Sequence, residues 1–364
     1  MSVGCEAHTF LKWGGTVMSS KLISVVLVLL LSSTAVAQHS NDKAPLAPPG
    51  KLIDIGGYRL HLNCTGNGEP TVVLIPGSGD FSFDWSLVQP SASRFARVCS
   101  YDFAGFAWSD PGPTPRTLRQ DAYELHTLLK AARVKGPYVL VGHSLGGLLT
   151  RVYAAEYPAE VAGIVLVDST HEDTTLFMQG KPVRMREIAR AVSVPPIQTM
   201  KTSPPKPATQ EAIDQFQAEI TKSGPPKIRA PFDKLPISSQ AMRVWALSQP
   251  PKVSRGEGFL AEEFNELYLA RAKQPVPLGE KPLIVFLPKF QYGNPPGGLS
   301  AEEWKRISDE KRQQKLEFTK LSRNSKLIIA ENSGHHIQLD QPQLVIDAIR
   351  DVADAAKRHT SLPR

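Results

Sequence analysis

One hexapeptide in this chain has the make-up of a covalent catalyst: Gly142-His143-Ser144-Leu145-Gly146-Gly147. It follows the short β-rich run 138–141 and leads directly into a helical pattern over 145–156 that Pro158 stops. A serine on a sharp strand-to-helix turn is forced into strained backbone angles. Glycines on either side let neighbouring backbone pass close, so the hydroxyl stands clear at the helix N-terminus. Such a hydroxyl attacks a carbonyl only if a base lies within hydrogen-bond reach and a third group orients that base. The oxyanion that forms needs donors, and the Leu145 amide at the start of the helix is one, aided by the helix dipole. His143, inside the motif, reads as a packing residue.

The elements that must hold this turn follow a regular order. After a proline-rich lead (Pro45, Pro48, Pro49), runs 51–55 and 58–64 read as a hairpin around Gly56-Gly57. Runs 71–75 and 97–101 read as strands. A helix follows whose apolar stripe is Leu118, Ala122, Leu125, Leu129 and Ala132. Residues 163–167 form another wholly apolar run, as a parallel strand buried on both faces requires. From 171 to 280 the alternation breaks down. The pairs Pro195-Pro196, Pro204-Pro205, Pro225-Pro226 and Pro250-Pro251 separate short helical stretches such as 210–221 and 260–272, which reads as an inserted helical cap. Alternation resumes with strand 283–286, helix 301–321, strand 326–329 and the amphipathic helix 341–357. The pattern predicts a mostly parallel sheet with helices on both faces, opened by an antiparallel hairpin.

With 364 residues and 41% hydrophobic content, the chain can bury a sizeable core. Lys21, the apolar run 22–31 and Ala35-Val36-Ala37 form a signal-peptide pattern over 1–37, its start placed at Met1 or Met18. The run is too short to span a bilayer, so cleavage near Ala37 and a secreted or periplasmic product without a stable membrane anchor are expected. The layout is then signal peptide 1–37, core 38–170, cap 171–280 and core 281–364. The net charge of +7 comes without a basic run or an aromatic-interleaved basic stripe, which argues against nucleic acid as a partner. No metal-ligand cluster and no phosphate-binding glycine loop with its lysine is present, so no cofactor and no metal are expected. The oligomeric state is left open.

Over nearly all of the mature chain outside the cap, the sequence resembles the α/β-hydrolase superfamily. The matching segments are the serine turn, Val73-Leu74-Ile75-Pro76-Gly77-Ser78-Gly79, Asp102-Phe103-Ala104-Gly105-Phe106-Ala107-Trp108-Ser109-Asp110 and Ser333-Gly334-His335. The resemblance implies the α/β-hydrolase fold with an eight-stranded sheet, Ser144 as nucleophile, and His335 after the last strand as general base. His336 is expected to point away, since adjacent side chains on an extended segment diverge. The family most often puts its acid after the strand assigned here to 283–286, but between Glu280 and Glu302 there is no Asp or Glu. A minority arrangement places it one strand earlier, where Asp168 ends 163–167; Glu172 and Asp173 are the alternatives. The second oxyanion donor matches Ser78, with Gly79 next in line, and Asp102 reads as fixing a turn. Cys64 and Cys99 fall on strands that are antiparallel neighbours in this fold, which allows a disulfide.

The implied partner is a small-molecule ester. Amidase, aminopeptidase, lactonase and perhydrolase variants share the same triad, and a non-catalytic ligand-binding member is the alternative of a different class. Dehalogenase and epoxide hydrolase chemistry is disfavoured because it uses a carboxylate where this chain has Ser144.

Overall fold

Apolar runs bounded by turn residues become the strands of an eight-stranded sheet in the computed structural model, which describes residues 46–178, 180–199, 201–252, 260–289, 295 and 298–363. The expected signal peptide lies outside the described residues. The strands are β1 (Lys51–Asp54), β2 (Arg59–Thr65), β3 (Thr71–Ile75), β4 (Val98–Tyr101), β5 (Tyr138–His143), β6 (Val161–Val167), β7 (Thr175–Met178), β8 (Lys181–Arg184), β9 (Leu283–Pro288) and β10 (Ser325–Ala330). The helices are α1 (Gln89–Ala92), α2 (Leu118–Ala131), α3 (Leu145–Glu156), α4 (Gln210–Ser223), α5 (Ile237–Leu247), α6 (Leu260–Lys273), α7 (Ala301–Leu316), α8 (Ile337–Asp340) and α9 (Pro342–Arg358).

The main sheet runs β1-β2-β4-β3-β5-β6-β9-β10. β1 pairs antiparallel with β2 and β2 antiparallel with β4; every later pairing is parallel. β3, β5 and β9 are buried along their whole length, the condition of strands covered by helices on both faces. Alternate residues feed the two layers. Val73, Ile75, Leu140 and Leu166 pack on one face with Leu125, Leu128 and Leu129 of α2 and Leu148, Leu149 and Val152 of α3. Val72, Leu74, Val139 and Val165 pack on the other with Trp85 and with Val345, Ile349 and Val352 of α9. Cys64 and Cys99 lie directly opposite each other in the β2–β4 ladder, with Cα atoms 4.0 Å apart, and form a disulfide.

Between β6 and β9 the chain leaves the sheet for the segment expected to be helical. α4, α5 and α6 are helical, but the segment opens with the hairpin β7–β8, which the sequence reading did not include. Its strands have four residues each and Pro182 interrupts one of them, so no period-2 signal exceeds the noise; Gly180 supplies the positive φ the turn needs. The segment is fastened to the rest of the molecule at several points. Glu263 of α6 accepts from the Leu118 and Arg119 amides at the start of α2, at 2.9 and 3.1 Å. Arg243 of α5 pairs with Asp84 and lies 3.5 Å above the Phe232 ring, and Trp245 stacks on Trp108 at 5.0 Å.

The expected helix 301–321 is α7 followed by a tighter 3-10 turn over Glu317–Leu321. Ser300 and Glu303 form its capping box, the arrangement that satisfies the first free amides of a helix. Among the described residues no helix is long and apolar enough to cross a membrane.

Candidate active site

The turn between β5 and α3 has the strain its sequence predicts. Ser144 sits at φ 52° and ψ −119°, outside the regions open to ordinary L-residues. Its amide donates to the Val167 carbonyl at 3.1 Å, and its carbonyl accepts from the Gly147 and Thr170 amides at 3.0 and 2.9 Å. The surrounding backbone therefore fixes the serine. Glycine is required here for lack of room: a Cβ on Gly142 would stand 2.4 Å from the Gly146 carbonyl oxygen, and one on Gly146 2.4 Å from that of Pro76. Ser144 and Leu145 remain partly open to solvent.

Asp168 follows β6 and His335 follows β10, both at the C-terminal edge of the sheet beside the serine turn. His335 Nδ1 and Asp168 Oδ2 are 2.6 Å apart. The carboxylate is 4% exposed and the imidazole 46% exposed, so the ring is anchored from inside and open outside. Asp168 also adopts a positive φ of 41°, and its amide donates to the Phe286 carbonyl of β9. Lys315 Nζ of α7 lies 2.6 Å from its second oxygen. Burial opposes ionisation, but the Lys315 ammonium and the hydrogen bond with His335 outweigh it and hold the carboxyl well below the usual carboxylate range. An ionised carboxylate on Nδ1 fixes the tautomer with the proton on that nitrogen and turns Nε2 outward as an acceptor. The His335 ring lies 4.6 Å from the ring of His143, the residue before Ser144. No hydrogen bond joins Ser144 to His335 among the described residues; in unliganded sites this contact is often formed only with substrate.

The loop after β3 closes over the serine: a Cβ on Gly77 would come 3.2 Å from Ser144 Cβ. Ser78 and Gly79 are the exposed tip of that loop. Leu145 is the first residue of α3, where an amide has no intrahelical acceptor. Both donors expected from sequence thus belong to segments that border Ser144.

Asp80, at the end of the same loop, was not singled out by the sequence reading. Its Oδ2 lies 2.9 Å from His143 Nδ1, and His143 Nε2 lies 3.0 Å from the His335 carbonyl. Both ring nitrogens of His143 therefore face acceptors. Burial lowers its pKa despite Asp80, and a neutral ring can donate to only one of the two. His336 does diverge from His335, but toward the interior, with Nε2 3.7 Å from Asp80 Oδ1 and its ring against Phe232. Burial disfavours the Asp80 charge, yet His143 and His336 outweigh this and keep it ionised. Asp80, His143 and His336 are the group among the described residues whose ligand atoms, within 4.8 Å of one another, could hold a metal ion. Arg243 Nη2 stands 3.8 Å from Asp80 Oδ1, so a positive charge already faces the carboxylate.

The alternative acids are engaged elsewhere. Glu172 is buried between Arg151 and Arg271, and Asp173 pairs with Arg184 and Arg186. Asp102 does more than fix a turn: it accepts from the Ser82 amide at 2.7 Å and holds His61 at 2.8 Å. Lys315 carried no signal in the sequence, because it stands with Lys311 and Lys320 in a helix that reads as a solvated charged surface. Asp80 carried a weak one, as the first carboxylate after the Gly-Ser-Gly tip.

A model of the alpha/beta hydrolase family matches residues 72–348. Over 309 residues the chain is 27% identical to YqjL of Bacillus subtilis, covering 84% of this chain and 92% of that protein. An uncharacterised vacuolar membrane protein of Saccharomyces cerevisiae is 32% identical over 137 residues, which is 33% of this chain and 21% of the yeast protein. The chain spans only 19% to 35% of the length of this and similar curated relatives. Among solved structures, a thermophilic esterase from Thermogutta terrifontis aligns with a TM-score of 0.52 at 20% identity, over 85% of this chain and 99% of that one. At that identity the likeness speaks for the fold.

Proposed function

The chain belongs to the alpha/beta hydrolase family, and from that premise we propose that it is an exported serine hydrolase that cleaves a carboxylic ester through Ser144, His335 and Asp168. The observation that carries the reading is the 2.6 Å pair between the buried Asp168 carboxylate and the open His335 ring, on the sheet edge where Ser144 occupies its strained turn. His335 Nε2 takes the hydroxyl proton as Ser144 Oγ attacks the ester carbonyl. The negative charge that develops on the carbonyl oxygen is held by the Leu145 and Ser78 amides. The protonated ring, stabilised by Asp168, returns the proton to the leaving alkoxide, which departs as the alcohol. Water, activated by the same nitrogen, then cleaves the acyl-enzyme and releases the acid.

Residues 171–280 act in this reading as the cap that shapes the substrate pocket. Export is supported by the Cys64–Cys99 disulfide, a bond that persists in oxidising compartments, and by the signal-peptide pattern of 1–37. The test is hydrolysis of short aryl esters by the purified protein beside Ser144→Ala. Activity lost in the variant supports the reading; equal activity in both would remove Ser144 from the mechanism.

A further inference from the structure

Asp168 divides its two oxygens between partners from different parts of the chain. Oδ2 meets His335, from the loop after β10, and Oδ1 meets Lys315 Nζ of α7, each at 2.6 Å. We propose that Lys315 is a positioning residue for the proposed triad: it fixes the plane of the Asp168 carboxylate and stabilises its negative charge beside His335. The inference rests on the assignment of Ser144, His335 and Asp168 made above.

Three observations support it. The ion pair is enclosed, with the Lys315 side chain 13% exposed and Asp168 4%, so solvent screens it weakly. The helix that carries Lys315 is tied to the end of β9 and to the loop that follows Asp168. Arg312 Nη1 donates to the Pro288 carbonyl at the end of β9 at 2.9 Å, and Gln314 Nε2 donates to the Asp173 carbonyl at 2.7 Å. The ammonium is thereby held against Asp168 by the scaffold as well as by its own charge. Lastly, a buried carboxylate left with a single partner would favour its neutral form, because burial penalises the charge. A protonated Asp168 could not stabilise the imidazolium that His335 must become.

The other charged and titratable groups around this pair are Lys311, one turn before Lys315, His143 at the end of β5, Asp80 after β3, and His336. Lys311 is half-buried near the Phe177 and Trp304 rings, and burial together with the Lys315 charge lowers its pKa to about 8. Of the two lysines, Lys315 is the one in contact with Asp168.

Removing a cation beside the pair stabilises every protonated form of it. The acid limb of the pH profile must therefore move upward, by about one pH unit or more for a charge this close. The experiment follows the rate at which an aryl fluorophosphonate labels Ser144 between pH 5 and 9, read by mass spectrometry. It compares wild type, Ser144→Ala, Lys315→Met, Lys315→Gln and Lys315→Arg, with thermal melts of each. The neutral variants are expected to label roughly tenfold more slowly at the plateau, with the limb displaced upward; the arginine variant is expected to keep the wild-type limb. The glutamine variant decides the matter if the methionine variant does not fold. Neutral variants whose limb coincides with wild type, or an arginine variant displaced as far as they are, overturn the role of Lys315 while leaving the triad intact. Wild type that labels no faster than Ser144→Ala overturns the triad assignment and this inference with it.

Discussion

Two histidine–aspartate pairs of this molecule, His335–Asp168 and His61–Asp102, each have a serine nearby and differ in almost everything but residue type. His335 and Asp168 join the ends of two parallel strands, with the imidazole open to solvent. His61 and Asp102 lie 2.8 Å apart on β2 and just after β4, both wholly buried. There the second imidazole nitrogen meets the Pro49 carbonyl, Trp108 covers the ring, and Ser82 Oγ lies 3.3 Å from Nδ1, the nitrogen Asp102 also engages. The buried ring has no free nitrogen to take a proton from a substrate-facing hydroxyl. The residue trio alone therefore says nothing about catalysis. What separates the two regions is that one ring, open to solvent on the sheet edge that carries the strained serine, has no partner on its second nitrogen among the described residues, whereas the other spends both nitrogens on the interior.

That contrast breaks down or sharpens under substitution. The largest expected effect is at Ser144→Ala, which should lower kcat for aryl esters by about 10⁶-fold. Asp168→Asn follows, with a loss of about 10⁴-fold, since the wrong tautomer of His335 then faces the serine; a smaller loss, measured in the same assay, would mean that another group orients the ring. Asp102→Ala should do the reverse. It leaves the buried Ser82 amide and His61 without their acceptor, so urea denaturation should show about 3 kcal/mol of lost stability while the rate per folded molecule is unchanged. A lost rate at full stability would assign the buried pair to the chemistry.

A pH-dependent effect extends the comparison to a buried carboxylate that has amide donors where Asp168 has an ammonium. Burial pushes Glu263 up to about 7, although the Leu118 and Arg119 amides pull it down. The folded pKa exceeds the unfolded one, so its contribution to stability is full below about 4.5 and declines as pH rises through about 7. Thermal melts should accordingly show a Glu263→Gln advantage that grows across that window, by up to about 3 kcal/mol. An advantage independent of pH would mean that the glutamate ionises in the folded protein as easily as in the unfolded chain.

How much of this was legible beforehand follows the range of the forces involved. The strands and the serine turn rest on local signals, apolar runs and glycines at fixed spacing, and the eight-stranded sheet appeared as expected. Asp168 and His335 were found by resemblance and by the lack of carboxylates between Glu280 and Glu302, and the structure brings them into contact. Lys315 was out of reach, and Asp80 nearly so. Each acts on a residue far away in sequence, Lys315 on Asp168 across 147 positions, and no local pattern marks such a partner. The hairpin β7–β8 escaped for the opposite reason: it is local, but too short to show a period.

The Asp80 contacts tie together two parts of the site that perform separate tasks. Asp80 belongs to the loop that crosses Ser144, its amide donating back to the Gly77 carbonyl at 3.2 Å, and through His143 it reaches the carbonyl of His335. The loop and the residue that the proposed mechanism uses as oxyanion holder and base are thus joined through one imidazole. If the proposed mechanism holds, remodelling residues 76–80 moves His143 and with it His335, so that substrate range and proton transfer change together.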